Sequence, residues 1–249
     1  MSDHIKITIN ETIQHIEIKR ADKMNAFTDE MYQTIATALK KSHKDKDIKV
    51  NLISGVEGCF TAGNDISDFY TYAEKGSFSP GIIDFLTTLG TLDMPLILAI
   101  DGPAIGIGTT MTFHADLVYA TPKAIFATPF ADLGVTPEAA SSYLMPKTMG
   151  HAKAYEMLAL GEKYSAQEAY NAGFVNKIIE AEHLISHSLA IAKKLSKKPE
   201  SSLLITKQLL KTEREYILSV MEKEVEFFSR QLQSEEAKAA FASFLNKTK

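Results

Sequence analysis

Two kinds of hydrophobic pattern alternate along the chain as far as Glu182. Apolar and polar residues alternate in HIKITIN and IQHIEIK, on either side of NET, which predicts an opening β-hairpin. VNLIS and PLILAI are continuously apolar, as is typical of short strands that are covered on both faces. In TDEMYQTIATALKK, Met31, Ile35 and Leu39 share one helical face, and Thr28 can cap the helix. This order of elements predicts an α/β fold with mostly right-handed crossovers.

After Glu182 the pattern predicts helices alone. The successive helical segments are HLISHSLAIAKKLSKK, SSLLITKQLLK, YILSVMEKEVEFFSRQLQ and EEAKAAFASFL. They carry Phe227, Phe228, Phe241 and Phe244, whose rings need a surface to pack against. We therefore predict an α/β core at residues 1–195 and a helical segment for packing or assembly at residues 196–249.

The composition is that of a globular protein and makes several classes of function improbable. The 249 residues are 45% hydrophobic and 23% charged, which is enough for a sizeable core. The net charge of -4 gives no long-range attraction to nucleic acid or to an anionic membrane. The apolar segments are far shorter than the roughly 20 residues of a membrane span, and no signal peptide is predicted. With the single Cys59 and no metal-ligand spacing among the histidines, we expect a cytoplasmic protein without a metal.

Glycines cluster in GPAIGIG, residues 102–108, where the strand PLILAI is expected to turn into a helix. A P-loop is excluded because no Gly-Lys-Ser/Thr follows, and the third glycine of a dinucleotide fingerprint is replaced by Met111. The glycines could make only a tight turn, or they could point backbone N–H groups at an anion. The loop CFTAGNDI, residues 59–66, offers a second group of N–H donors, although Asp65 could simply cap the next helix. If the two groups converged, they would form an oxyanion hole.

The pair CFTAGNDI and DGPAIGIG, separated by a helical stretch and PLILAI, resembles the crotonase superfamily, the enoyl-CoA hydratase/isomerase fold. KRADKMNAFTDEM, ALGEKYSAQEAYNAGFVNKI and the helical tail resemble further parts of the family, so that the resemblance covers nearly the whole chain. It implies a crotonase-like spiral of ββα units followed by a helical oligomerisation segment. It also implies an acyl-CoA thioester substrate and a homotrimer or dimer of trimers. CoA would be part of the substrate, and we expect no cofactor, no nucleic acid and no membrane as a partner.

The resemblance also implies roles for individual residues. The backbone N–H groups of Asn64 and Ile107 match the two oxyanion-hole positions, which bind the thioester carbonyl group. Substrate contacts are implied as well for Lys23, Met24, Ala62, Gly63, Asp65, Ile66, Gly106 and Phe130. Lys23 and Met24 match the border of the nucleotide end of CoA, although Lys23 could equally be a solvated loop lysine.

Two positions distinguish hydratases from isomerases in the family. Hydratases add water with two glutamates, and this sequence has Thr110 and Phe130 at the matching positions. Mitochondrial-type isomerases keep the second of these glutamates, so that type is disfavoured as well. TPFADLGVTPEAASSYLMPKTMG instead resembles the peroxisomal-type Δ3,Δ2-enoyl-CoA isomerases, in which a glutamate at a shifted position is the catalytic base. Glu138 matches that glutamate.

The residues around Glu138 suit a catalytic base, because they are mostly small and apolar. Such surroundings raise the basicity of a carboxylate, and one base can carry a proton from C2 to C4 of a 3-enoyl thioester. Glu138 could instead be a helix-starting residue after Pro137, stabilised by the helix dipole.

We expect a Δ3,Δ2-enoyl-CoA isomerase of unsaturated fatty-acid oxidation. The alternatives are another crotonase reaction, such as hydration or thioester hydrolysis, and a non-catalytic acyl-CoA binding protein. Phe69, Phe85 and Phe130 are candidates for the pocket walls that set the chain length.

Overall fold

The computed structural model describes residues 2–65, 68, 72 and 78–247, with the backbone alone for residues 244–247. In these ranges the strands are β1 (Ile5–Asn10), β2 (Ile13–Ile18), β3 (Val50–Ser54), β4 (Leu96–Ile100), β5 (Pro103–Ile105), β6 (Leu117–Ala120), β7 (Ile125–Ala127), β8 (Tyr164–Ser165) and β9 (Lys177–Ile178). The helices are α1 (Asp29–Lys44), α2 (Pro80–Thr91), α3 (Ile107–Thr110), α4 (Ser141–Met149), α5 (His151–Leu158), α6 (Ala166–Ala172), α7 (Ala181–Ser196), α8 (Glu200–Leu210), α9 (Arg214–Leu232) and α10 (Glu235–Lys247).

The described strands form two sheets, and strands that follow one another along the chain can belong to different sheets. The larger sheet has the order β1-β2-β3-β4-β6-β9, in which β1 and β2 are antiparallel and the other neighbours are parallel. The smaller sheet has the order β5-β7-β8. Strands β4 and β6 lie in the first sheet, and β5 and β7, which follow them along the chain, lie in the second. The chain therefore winds from one sheet to the other twice in succession, and the predicted α/β fold with C-terminal helices is confirmed.

The first elements form as the sequence predicts. The opening hairpin pairs Ile5 with Ile18, and β3 and β4 are buried along their whole length. The side chain of Thr28 accepts a hydrogen bond from the backbone N–H of Met31 and so caps α1. Helix α2 begins at Pro80, a residue that suits the first turn of a helix, and ends before Leu92. Phe69, a candidate for the pocket wall, lies outside the described residues.

The glycine-bearing turn leads into a helix, as predicted, but a short strand that was not predicted comes first. The segment forms the short strand β5, the four-residue α3 and then a 3-10 turn. Gly102 makes the bend into β5 with a φ of +70°, and an added Cβ atom there would lie 2.0 Å from the carbonyl oxygen of Gly58. The chain can then pair with β7, a long-range contact that the local pattern does not reveal.

The last two helices pack against the core of the same chain. Helix α9 lies against α2, and α10 lies against the 3-10 turn Ala131–Leu133. The rings of Phe228 and Phe241 are buried, whereas Phe227 is half-buried. The side chain of Phe244 lies outside the described part. The residues from 196 onward therefore contribute to the folded core, while the boundary at residue 195 and a role in oligomerisation stay predictions.

Candidate active site

The two glycine-containing loops lie side by side. Thr61 and Ala104 form a parallel bridge, in which the N–H of Ile105 donates to the carbonyl oxygen of Thr61 at 3.0 Å. Gly63 has a φ of +92°, and an added Cβ atom would lie 3.0 Å from the carbonyl oxygen of Ile105. A residue with a side chain would therefore separate the loops. The sequence could suggest that the two loops are neighbours but could not establish it.

Each loop carries a backbone N–H group without a partner. Among the described residues, the N–H groups of Asn64 and Ile107 donate no hydrogen bond, whereas those of the neighbouring Asp65 and Gly106 each donate to a backbone carbonyl oxygen at 2.8 Å. Gly106 has a φ of 56° and a ψ of −117°, a conformation that suits glycine. It turns the chain sharply, so that Ile107 begins α3. Two adjacent segments therefore carry donors that are able to bind a carbonyl or anionic oxygen.

The side chain of Asn64 is held by α1. Its Oδ1 atom accepts a hydrogen bond of 2.5 Å from the phenol of Tyr32, whose ring is buried. Burial and the nearby charge of Glu138 raise the pKa of Tyr32 well above its ordinary value, so the phenol stays a donor. The loop that carries the free N–H of Asn64 is thus fixed through its side chain.

A small, largely apolar cavity of about 110 Å³ lies beside the loops. Its walls are Ala62, Gly63, Asn64, Ile105, Gly106, Pro129, Phe130, Leu133, Val135, Phe228 and Phe241. Five residues predicted to contact substrate are among them. The sequence indicated that Phe228 and Phe241 need burial, but it did not place them in this wall. Phe85 is not in the wall, because its ring is buried against Phe27 and Tyr32.

Among the described residues, the others predicted to contact substrate do not line this cavity. Lys23 is exposed, and Met24, which is 53% exposed, accepts the N–H of Ala62 at its carbonyl oxygen. Asp65 forms an ion pair of 2.5 Å with Arg20. Ile66 lies outside the described residues. Met24 therefore contacts the loop at residues 59–65 without lining the cavity.

Glu138 is a buried carboxyl group whose side chain is only 4% exposed. One of its oxygens accepts a hydrogen bond of 2.5 Å from the hydroxyl of Thr110, the last residue of α3. Burial raises the pKa of Glu138 to about 8; the hydrogen bond from Thr110 opposes this rise, and the charge of Glu224 adds to it. A carboxyl group with this pKa can take up and release a proton near neutral pH.

The alternative role of Glu138 as a helix-starting residue does not match the observed helix. Helix α4 begins at Ser141, and its N-cap position is Ala140. The N–H groups at this helix start are instead occupied by Glu224 of α9, which accepts from Ala140 at 2.6 Å and from Ser142 at 2.9 Å. The sequence analysis missed Glu224, because its partners lie more than eighty positions earlier in the chain.

The described residues contain no cluster of His, Cys, Asp and Glu that could hold a metal ion. No helix within them is both long and apolar enough to cross a membrane. His114 is buried, and one ring nitrogen donates to the carbonyl oxygen of Ala139 at 2.7 Å. Burial lowers the pKa of His114 to about 3, so its ring is neutral. His114 is therefore a residue of the core.

The raised pKa of Glu138 predicts a stability that depends on pH. The pKa is about 8 in the folded protein and ordinarily 4.5, so the folded protein binds this proton more tightly than the unfolded chain. The free energy of unfolding therefore falls as pH rises from the ordinary pKa to about 8, and then levels off. Glu138→Gln removes this pH-dependent change in the free energy of unfolding, which amounts to a few kcal/mol at roughly 1.4 kcal/mol per pKa unit. We expect the Tm of Glu138→Gln to exceed that of the wild type increasingly between about pH 5 and pH 9.

Thermal unfolding of both proteins across that pH range is the measurement. Glu226→Gln is a matched control, since Glu226 is exposed on α9 and its substitution should leave the wild-type dependence unchanged. A Tm difference between Glu138→Gln and the wild type that stays constant with pH would contradict the raised pKa.

A model of the enoyl-CoA hydratase/isomerase family matches residues 8–249. The chain belongs to this family. Its matched relatives include enoyl-CoA delta isomerase 2 of Rattus norvegicus, with 35% identity over 99% of this chain and 64% of the relative. Enoyl-CoA delta isomerase 3, peroxisomal, of Mus musculus is 30% identical over 98% of this chain and 78% of the relative. The chain therefore spans just under two thirds of the rat protein.

The fold of this family member agrees closely with that of a solved structure. OdaA of Pseudomonas aeruginosa superposes with a TM-score of 0.94 at 35% identity, over 98% of this chain and 99% of that chain. The family description covers both hydratases and isomerases, so the reaction has to be argued from the site.

Proposed function

We propose that this family member is a Δ3,Δ2-enoyl-CoA isomerase with Glu138 as its base. The observation that carries the proposal is the hydrogen bond between Glu138 and Thr110, at the position where the family's hydratases carry a glutamate. Thr110 lies three residues after Ile107, hence on the same side of the short helix. Glu138 is thus held near the segment that carries one of the two free N–H groups.

The proposed reaction transfers one proton within the substrate. The carboxylate of Glu138 removes a proton from C2, and the electrons of that C–H bond form a dienolate whose charge rests on the thioester oxygen. The N–H groups of Asn64 and Ile107 donate to this oxygen, each contributing a few kcal/mol by analogy with other oxyanion holes. Glu138 then returns the proton at C4, which leaves the double bond between C2 and C3. No water is consumed.

The surroundings of Glu138 support this role physically. A carboxylate with an ordinary pKa is a weak base toward carbon, and the burial that raises its pKa also raises its affinity for the C2 proton. Phe130, Phe228 and Phe241 form an apolar wall of the cavity beside the two loops, which favours an acyl chain over water. We propose that Lys23 and Met24, at the exposed end of the same region, contact the CoA part of the substrate.

One assay separates this proposal from its alternatives. Purified protein is incubated with a 3-enoyl-CoA, and the conjugated 2-enoyl-CoA, the 3-hydroxyacyl-CoA and free CoA thiol are measured in parallel. We expect conjugated product first and as the main product. Initial hydroxyacyl product or free thiol would instead support a hydratase or a hydrolase, and binding without any product would support a non-catalytic acyl-CoA protein.

We place the reaction in the oxidation of unsaturated fatty acids, where a double bond at C3 has to be moved before the acyl chain can be oxidised further. A cytoplasmic location stays an expectation, and the mouse relative bears a peroxisomal name. Acyl-CoA profiles of cells that lack the gene provide the test. They should accumulate 3-enoyl-CoA species when grown on unsaturated fatty acids.

We further propose a homotrimer or dimer of trimers built through the C-terminal helices. Helix α8 exposes Ile205, Leu209 and Leu210, with Leu209 70% and Leu210 80% exposed in the single chain. Large exposed apolar residues on one helix favour an interface. We expect native mass measurement to give three or six chains, and Leu209→Glu to shift the protein to smaller species.

Gln208→Glu provides the matched control for this assembly prediction. It adds the same charge at an exposed position of the same helix and should leave the assembly intact. A wild-type protein that is a monomer at micromolar concentration would contradict the proposal.

A further inference from the structure

The two residues after Glu138 have a backbone conformation that side chains disfavour. Ala139 has a φ of 57° and Ala140 a φ of 53°, and both are almost completely buried. Two consecutive left-handed residues other than glycine are unusual, and such a turn persists only where its surroundings hold it. The conformation of this turn fixes the direction in which the carboxyl group of Glu138 leaves the backbone.

Two buried side chains hold the turn from different parts of the fold. His114 donates its ring N–H to the carbonyl oxygen of Ala139, and Glu224 accepts the N–H groups of Ala140 and Ser142 with its two oxygens. Glu224 is only 7% exposed, although it is a carboxylate in the middle of α9. A buried carboxylate is retained where its hydrogen bonds offset its desolvation, and here both bonds go to the turn.

We propose that Glu224 is a positioning residue, which fixes the left-handed turn and thereby the placement of the Glu138 carboxylate for proton transfer. This role rests on the proposed isomerase function. Glu224 touches neither the cavity nor, in the proposed reaction, the substrate; it acts through the backbone of Ala140 and Ser142. The orientation of the base therefore depends on a helix that lies more than eighty residues later in the chain.

The charges around Glu138 determine how this role can be measured. The groups that face it from the packed elements are Thr110 of α3, Tyr32 of α1 and Glu224 of α9. Burial is the main cause of the raised pKa of Glu138, and the nearby negative charge of Glu224 adds to it, whereas Tyr32 keeps its proton. Removing that charge should let Glu138 ionise at lower pH. The acidic limb of the pH profile of kcat/KM should therefore shift to lower pH together with the pKa of Glu138.

The test compares Glu224→Gln with Glu226→Gln, an identical substitution at an exposed position of α9. The amide offers only one acceptor oxygen, so one of the two N–H groups loses its bond. We expect Glu224→Gln to lower kcat for the 3-enoyl-CoA at least tenfold, with KM within about threefold, since misplaced catalytic groups lower kcat chiefly. The acidic limb should shift to lower pH, and Glu226→Gln should match the wild type in all three quantities.

A second substitution separates positioning from general destabilisation. Glycine adopts the left-handed conformation without strain, so Ala140→Gly in the Glu224→Gln background should recover at least threefold in kcat. The acidic limb should stay at the lower pH, because the charge is still missing. A kcat of Glu224→Gln within twofold of the wild type would overturn the proposal, as would a loss of activity explained by the folded fraction alone with an unmoved pH profile.

Hydrogen exchange distinguishes a failure of this role from a failure of the proposed function. The amides of Ala140 and Ser142 should exchange faster in Glu224→Gln than in the wild type, whatever reaction the protein catalyses. If the wild type does not isomerise 3-enoyl-CoA, the proposed function fails and the exchange rates decide whether Glu224 fixes the turn. Unchanged exchange rates at both amides would overturn the proposal that Glu224 fixes the turn.

Discussion

Replacing Glu138 with Gln is expected to lower kcat for the isomerisation of a 3-enoyl-CoA by about 10³-fold. The amide keeps the size and polarity of the side chain and can still accept the hydrogen bond from Thr110. It cannot accept the proton from C2, and in the proposed reaction no other group does so. The formation of conjugated 2-enoyl-CoA under saturating substrate measures the loss.

Binding should survive this change, because the proposed contacts to the thioester come from the backbone of Asn64 and Ile107. Titration with a saturated acyl-CoA, which has no double bond to move, should give a Kd for Glu138→Gln close to that of the wild type. Glu226→Gln serves as the active control. If Glu138→Gln kept activity within tenfold of the wild type, Glu138 would not be the base.

Hydration of crotonyl-CoA is expected to be at least about 10³-fold slower than isomerisation of a matched 3-enoyl-CoA, a difference of roughly 4 kcal/mol in barrier. Hydration requires a group that holds and deprotonates a water while C2 is protonated. At the two positions that carry glutamates in hydratases, this chain has Thr110 and Phe130, and the phenyl ring forms part of the cavity wall. A threonine hydroxyl is a poor base near neutral pH, and a phenyl ring holds no water.

Both rates have to be measured on one preparation, so that the fraction of active enzyme cancels in their ratio. The Glu138→Gln variant is the internal control, since any residual hydration that persists in it does not use this carboxylate. Comparable rates of hydration and isomerisation in the wild type would show that Glu138 works with a second acid, and the assignment as an isomerase would then be incomplete.

The elements with local causes could be predicted from the sequence. The alternation in β1 and β2, the capping of α1 by Thr28 and the start of α2 at Pro80 each depend on residues a few positions apart. Several residues of the site could also be predicted, because Glu138 and the glycines differ from their neighbours in the sequence. A family resemblance then gave these residues roles that their spacing alone does not imply.

The parts that could not be predicted depend on contacts between distant residues. The short strand β5 forms because it pairs with β7 and bridges to Thr61, and neither partner is visible in the local pattern. Glu224 is an unremarkable acid on an amphipathic helix until the fold brings it to Ala140. The same holds for Phe228 and Phe241, whose need for burial was evident although the cavity that they wall was not.

The contact between Glu138 and Thr110 has a consequence for how members of this family are compared. Residues 28 positions apart in the chain meet at one point, and the short threonine side chain leaves room there for the carboxylate. By the family resemblance, a hydratase would supply its acid to this point from the threonine position. An alignment scored column by column would record that acid as lost, whereas in the proposed reaction Glu138 supplies it from another segment. Members of such a family are therefore better compared by where the charged group lies in the folded structure than by its position in a sequence alignment.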